Sequence, residues 1–230
     1  MSVYAIIPAA GSGSRFGGPL PKQFVEVDGK PLLAYTLDVF EQSRLVDGIL
    51  VAVSPDFLAL RDQLMQRYGY KKLLPFTEGG AERQETVYKA LSSLNCEPDD
   101  IIAVHDAARP LLPGNVLDAV LRSASETGSS VVGLKRPDTV VYQEGGMMKY
   151  LDRQALISVQ TPQVFRYSVL LKALTTAVTD GFTGTDESML VHRTGTEVHF
   201  TEGSPLNFKV TTTEDLELFR AIIKSRTTHH

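Results

Sequence analysis

Short apolar runs rich in β-branched residues alternate along this chain with longer amphipathic stretches, and no other feature constrains the fold as tightly. The runs fall at 4–9, 48–54, 101–105, 130–134, 197–200 and 207–210. Each is a few residues long and almost continuously apolar, as expected of strands covered on both faces of a parallel sheet. Helices are expected near 31–43, 56–68, 82–94, 113–127, 167–179, 186–193 and 213–224. In one, Val87, Leu91 and Leu94 share a face; in another, Leu216, Phe219, Ala221 and Ile223 crowd one side. Thr213, followed by Leu216 and Glu217, marks the start of the last helix. The βαβα rhythm predicts an α/β fold with a doubly wound, mostly parallel sheet, and a mixed α+β layer is the alternative.

A chain of 230 residues fits one domain, taken as residues 1–228, with or without a small appendage. Hydrophobic residues make up 43%, enough for a sizeable core. The net charge of −4 argues against a broad nucleic-acid surface, because such a surface needs many Lys and Arg on one face. An anionic small molecule is still compatible with it, since a few cations focused in a cleft can outweigh the net charge. The one cysteine, Cys96, allows neither an intramolecular disulfide nor a Cys-based zinc site. The N-terminus reads as neither a signal nor a transit peptide, and no apolar stretch approaches a membrane span. A cytoplasmic protein without a membrane partner is therefore expected. The closing His229-His230 reads as the remnant of a purification tag.

One region breaks the rhythm. Between Arg136 and Ser158, two alternating segments flank Gly145-Gly146 and predict a hairpin inserted into the domain. If it projects, its apolar residues Val141, Met147 and Tyr150 need a partner such as a second subunit. If it lies flat, they pack on their own domain.

Four constellations can carry chemistry. The first strand runs into Gly11-Ser12-Gly13-Ser14-Arg15-Phe16-Gly17-Gly18, where small residues let backbone N–H groups approach phosphate oxygens. Phe16 stands where a dinucleotide fingerprint would have its third glycine, and no Gly-Lys-Ser/Thr follows, so neither common phosphate-loop motif applies. Arg15 and the following Lys22 can neutralise a triphosphate and the charge developing at phosphorus, or can be solvated surface charges. The second constellation is His105-Asp106-Ala107-Ala108-Arg109-Pro110. Here Asp106 can hold a hard cation such as Mg²⁺ and Arg109 a phosphate, or the two can merely pair across a turn. His105 reads as structural. The third is Lys209 in Asn207-Phe208-Lys209-Val210-Thr211. The fourth is Asp138-Thr139, Asp152-Arg153 and Gln160-Thr161-Pro162-Gln163, which bind an acceptor's hydroxyls and phosphate or are turn residues.

In this order, the segments from Pro8 to Arg15, Pro21-Lys22-Gln23, Gly79-Gly80 with Glu82-Arg83, His105 to Pro110, Thr161-Pro162-Gln163 and Asn207 to Thr211 resemble the 2-C-methyl-D-erythritol 4-phosphate cytidylyltransferase family. The glycine-rich loop is shared by many sugar-phosphate nucleotidyltransferases; the His-Asp-Ala-Ala-Arg-Pro and Thr-Pro-Gln segments are far more specific. The resemblance covers nearly the whole chain. It implies a Rossmann-like domain with a projecting β-arm that exchanges contacts in a homodimer. It also implies CTP and a polyol phosphate as substrates, Mg²⁺ as cofactor and release of pyrophosphate.

Carried over by position, Arg15, Lys22 and Lys209 match the catalytic cations. Ala9, Ala10, Gly11, Gly13, Gly80, Arg83 and Thr86 match the nucleotide site. Asp106, Arg109, Thr139, Arg153 and Thr161 match the acceptor pocket, some of them reached from the partner's arm, and Asp106 also matches the acid near Mg²⁺. There are departures: Ala81 stands where members often carry an acid, and Thr86 where some carry serine. Alternatives are a ribitol-5-phosphate cytidylyltransferase, which has a similar scaffold, and a non-catalytic nucleotide-binding regulator. A dehydrogenase is disfavoured by Phe16 and Arg15.

Overall fold

A computed structural model describes residues 1–11 and 20–227; Gly13, Arg15 and the closing histidines lie outside the described residues. The elements run β1 (Val3–Pro8), β2 (Glu26–Val27), β3 (Lys30–Pro31), α1 (Leu32–Gln42), β4 (Gly48–Val53), α2 (Leu60–Tyr68), β5 (Thr77–Glu78), α3 (Arg83–Ser93) and β6 (Ile101–Val104). They continue with α4 (Gly114–Thr127), β7 (Ser129–Lys135), β8 (Val140–Glu144), β9 (Met147–Leu151), β10 (Ile157–Arg166), α5 (Tyr167–Thr179), α6 (Glu187–Arg193), β11 (His199–Glu202) and α7 (Thr213–Thr227).

Seven strands form one sheet in the order β11-β7-β10-β6-β1-β4-β5. Every neighbouring pair is parallel except those of β10, which runs antiparallel to both β6 and β7. The central strands are covered on both faces, as their unbroken apolarity requires. Ala5 and Ile7 of β1, Ile49 and Val51 of β4, and Ile101 and Ala103 of β6 join a core with Leu37 of α1 and Leu117 of α4. Their alternates, Ile6, Leu50, Ala52, Ile102 and Val104, join the opposite core with Val87 of α3 and Leu174 of α5. The two-residue period of a strand thus separates two helix layers, giving the doubly wound α/β, Rossmann-like architecture.

Three expectations need correction. Residues 207–210 form no strand. The Val210 N–H donates to the Ala108 carbonyl (2.8 Å) and the Asn207 N–H to Ser204 (3.0 Å), so this backbone pairs with loops and has no strand beside it. Gln160 to Gln163, read as an acceptor-binding cluster or as turn residues, lie inside β10, so the turn alternative does not hold; the register against β7 shifts between Val159 and Gln163. Pro162, whose peptide with Thr161 is cis, sits in that irregularity, where its missing N–H removes no ladder bond. In α7, Leu216 and Phe219 are buried but Ala221 is exposed, and Ile222 packs in its place. A five-residue step from Leu216 leaves the face that three- and four-residue steps keep. The same helix starts with a reciprocal cap, Asp215 accepting from the Thr212 N–H (2.9 Å) and Thr212 Oγ1 from the Asp215 N–H (3.3 Å).

The inserted hairpin projects. β8 and β9 pair only with each other, around Gly145 (φ 56°) and Gly146 (φ 83°), the left-handed pair that a two-residue hairpin turn needs. Met147 is 69% exposed and Tyr150 68%, and Val141, Tyr142 and Met148 are exposed as well. The alternative of a hairpin lying flat on its own domain does not hold. Ile157 and Ser158 belong to the main sheet, paired with Lys135 and Leu134, so the arm ends a little earlier than expected.

Candidate active site

β1 and β6 are parallel neighbours at the centre of the sheet, so the loops leaving their carboxyl ends emerge side by side, where open α/β sheets take their ligands. Two further walls close the cleft: the segment 79–86 after β5, and residues 209–211. The cleft measures about 390 Å³, and Ala9, Ala10, Gly11, Lys22, Gly80, Arg83, Thr86, Asp106 and Lys209 all line it. Every nucleotide-site and catalytic residue expected from sequence and described by the structure is therefore in one place. Arg109 and Thr161 stand behind Asp106 and hold it. Thr139 and Arg153 do not reach this cleft within the chain; both are exposed at the root of the arm, where Arg153 donates to the Pro137 carbonyl (2.8 Å).

Asp106 is the electrostatic centre. Its Oδ2 lies 3.0 Å from Lys209 Nζ and 3.4 Å from Arg109 Nε, and its Oδ1 3.3 Å from Arg83 Nε. Burial works to raise its pKa, but Arg83, Lys209 and Arg109 together hold it far below the usual carboxylate range. Arg83 in turn reaches Glu187 Oε1 at 2.6 Å. Burial would lower the Arg83 pKa, and Glu187 and Asp106 outweigh it and raise it. Lys22 Nζ donates to the Val210 carbonyl (3.0 Å), so the second lysine is tied to the segment that carries the first. Arg109 donates to the Asn207 carbonyl (2.7 Å), and Asn207 Nδ2 donates to Gln160 Oε1 and the Thr161 carbonyl. These bonds explain how an irregular segment holds Lys209 in register.

His105 has a structural role, as expected. It is wholly buried, and burial lowers its pKa to about 4. Its Nε2 faces the Arg109 carbonyl (3.1 Å), which can only accept, so Nε2 carries the proton. Nδ1 therefore accepts from the Thr161 hydroxyl (3.1 Å), whose oxygen accepts the Asp106 N–H (3.1 Å). A neutral imidazole thus fixes the loop without supplying a base.

The nucleotide side is shaped by Thr86. Its Oγ1 accepts the Gly80 N–H (3.0 Å) and donates to the Glu82 carbonyl (3.0 Å), folding the 79–82 turn. A Cβ on Gly79 would collide with Ala10 Cβ, so this glycine permits the close approach of two cleft walls. The Ala81 N–H is taken by Glu85 Oε2 (2.8 Å), so a ligand could use it only if Glu85 moved aside.

Asp106 is the carboxylate deepest among the cleft's cations. No cluster of three His, Cys, Asp or Glu side chains capable of holding a metal occurs among the described residues. Of the residues expected to meet a metal, Asp106 offers one carboxylate, the oxygen donor type that a hard cation prefers.

Sequence reasoning missed three residues. Gln23 is buried, its Nε2 donating to the Ala9 (2.6 Å) and Gly11 (3.0 Å) carbonyls, and it anchors the start of the glycine-rich loop. Asn207 stands in the sequence only as part of a motif. Glu187 is hidden because an acid in a helix's first turn needs no further explanation, while Asp186 is the actual cap, accepting the Met189 N–H (2.9 Å).

A sequence model of the 2-C-methyl-D-erythritol 4-phosphate cytidylyltransferases matches residues 3–225. The chain belongs to that family. A curated member from Geobacter metallireducens is 40% identical over 98% of this chain and 99% of its own length. One from Symbiobacterium thermophilum is 42% identical over 96% and 93%. The crystal structure of the Thermus thermophilus member superimposes with a TM-score of 0.79 at 33% identity, covering 97% of this chain and all of that one. The Francisella tularensis member gives 0.81 at 30%, covering 95% and 98%. The family places the chain among the nucleotidyltransferases. It also gives the cleft's chemistry a frame: a surplus of cations around one carboxylate, beyond the carboxyl ends of the central strands.

Proposed function

We propose that this cleft transfers a cytidylyl group from CTP to the phosphate of 2-C-methyl-D-erythritol 4-phosphate. The observation that carries the reading is the convergence of Lys209, Arg109 and Arg83 on Asp106, with Lys22 tied to the same segment. An acceptor phosphate oxygen attacks the α-phosphorus in line; the bond from that phosphorus to the bridging oxygen breaks, and pyrophosphate leaves with the electron pair. The acceptor is already an anion at neutral pH, so no general base is needed, in keeping with a buried, neutral His105. The site must instead align two repelling anions and stabilise a more highly charged transition state. Lys22 and Lys209 are suited to this, and Arg15 is assigned the same work from its place in the loop. Asp106 is the residue that would hold a Mg²⁺ ion brought in on the nucleotide, and such an ion would supply further neutralisation of phosphate charge.

The arm completes the reading. Its exposed Met147, Met148 and Tyr150 call for a second copy of the chain, and a homodimer would allow Thr139 and Arg153 of one protomer to serve the acceptor pocket of the other. A cytoplasmic location belongs to the same reading, which a lone, unpaired Cys96 suits. Among the described residues no helix is long and apolar enough to cross a membrane.

The test is pyrophosphate release with CTP, ATP, GTP and UTP against methylerythritol phosphate and ribitol 5-phosphate. CTP with methylerythritol phosphate should give the highest kcat/KM. A higher value with ribitol phosphate would reassign the acceptor, and no release with any pair would remove the catalytic reading.

A further inference from the structure

The geometry points to Glu187 as a positioning residue that sets Arg83, and through Arg83 the carboxylate of Asp106, for the transfer. The inference rests on the reading of the cleft just given. Glu187 is 1% exposed and lies outside the cleft lining, so it does not touch substrate. Its 2.6 Å bond to Arg83 Nη1 is the shortest ionic contact in the cluster, and Arg83 Nε reaches on to Asp106 Oδ1 at 3.3 Å. One guanidinium therefore spans two carboxylates from two elements, α6 and the loop after β6. Planar and five-donor, it can hold both at once where a lysine could not.

Two clamps fix the ends of this span. The Ser188 N–H donates to Gln163 Oε1 on β10 (2.7 Å), seating the start of α6 on the sheet. Gln84, next to Arg83, donates to the Phe182 carbonyl (3.0 Å) and accepts the Gly184 N–H (2.9 Å), pinning the segment before α6 to the start of α3. The consequence falls on Asp106. With Oδ1 occupied by Arg83, its plane is set and Oδ2 is presented to Arg109 and Lys209. Without Glu187, Arg83 would be free to turn toward the phosphates it lines, and Asp106 would lose the contact that orients it.

A purely structural role explains Glu187 poorly. Its Oε2 is buried and meets no hydrogen-bond partner among the described residues, and burial raises its pKa against the pull of Arg83. A buried carboxylate with one oxygen unsatisfied weakens a fold that a neutral side chain could fill more cheaply.

The test compares the wild type with Glu187→Gln, Glu187→Asp, Arg83→Ala and the Arg83→Ala/Glu187→Gln double variant. Turnover is followed by pyrophosphate release, folding by thermal unfolding, and the Arg83 Nε–H exchange rate by NMR. Arg83 keeps Asp106 as a partner in Glu187→Gln, so that variant should fold; should it not, Glu187→Asp, which keeps the charge but shortens the reach, carries the same comparisons. We expect kcat to fall about tenfold in Glu187→Gln with the KM for CTP changed less than about threefold, and less than about twofold further loss when it is added to Arg83→Ala, as for two residues acting as one unit. Arg83 Nε–H exchange should accelerate at least about tenfold. Equal losses in both backgrounds, or unchanged turnover, would overturn the inference. So would unchanged Nε–H exchange, which decides the matter even if the wild type releases no pyrophosphate and the catalytic reading itself fails.

Discussion

In the cleft, three cationic side chains crowd around Asp106, which is only 8% exposed; in the arm, apolar side chains as large as Tyr150 stand in water. Both arrangements are costly in isolation. The cost in the cleft is met inside the chain: Lys22, Arg83, Arg109 and Lys209 each find a carboxylate or a carbonyl, most of them contributed by segments far apart in sequence. Among the described residues nothing covers the arm's apolar side chains. Substitutions in the cleft should therefore register in a single protomer's chemistry and folding, and substitutions in the arm should register between protomers.

The largest effect is expected where a cleft cation meets developing charge. Lys22→Ala should lower kcat by about 100- to 1,000-fold while weakening CTP binding much less, because a group preorganised for the transition state contributes most there. Single-turnover rates set beside calorimetric CTP affinity make the comparison. Equal losses in both would make Lys22 a simple binding residue.

Next in size is the pH response of the loop that holds Asp106. Burial keeps the folded-state pKa of His105 near 4, against 6.5 for the free side chain. As pH falls through this interval the unfolded chain takes up a proton that the folded chain refuses, so stability present above pH 6.5 is lost progressively down to about 4. The loss from this one residue is roughly 3 kcal/mol. Urea unfolding at stepped pH should show the difference between wild type and His105→Gln shrinking across this window. A difference that stays flat would mean the imidazole charges without leaving its place.

The same contrast explains what was legible in the sequence. Strand and helix positions follow from local periodicity, and β1, β4, β6 and β7 appear where their apolar runs place them. Lys22 and Asp106 could be grouped because each follows a strand of the sheet, and Lys209 joined them through a strand expected at 207–210 that does not form. Residues 207–210 misled, because an apolar alternation was satisfied by the loops beside them and no strand was present to pair with. β10 was hidden at Gln160 to Gln163 because its polar side chains, buried in bonds to Asn207, Ser188 and Ser204, look like turn residues in one dimension. Glu187 was invisible for a related reason: its partner Arg83 lies 104 residues away.

Arg153 joins the two regions, since it sits on the arm's return and is assigned to acceptor binding. Arg153→Ala should raise the acceptor KM about tenfold, the loss expected for one charge-assisted hydrogen bond, and leave the CTP KM within about twofold. Bisubstrate kinetics separate the two. A change confined to the CTP KM would detach the arm from the acceptor.

The smallest effect on the fold itself is expected at the arm's tip. Met147 and Tyr150 are largely exposed on the protomer, so Met147→Ser/Tyr150→Ser should change its intrinsic unfolding free energy by no more than about 0.5 kcal/mol, the range of surface substitutions. The signature lies in concentration. If the arm seats on a second copy, unfolding of the wild type is coupled to dissociation, and its Tm should rise with protein concentration. The double variant should show a Tm independent of concentration and a monomer's sedimentation coefficient. Its Tm should meet that of the wild type only at the lowest concentrations, where the wild type too has dissociated. A concentration-independent wild-type Tm together with a monomeric wild type would leave the exposed tip without a protein partner. Arg153 would then have no route to the cleft of a neighbouring protomer.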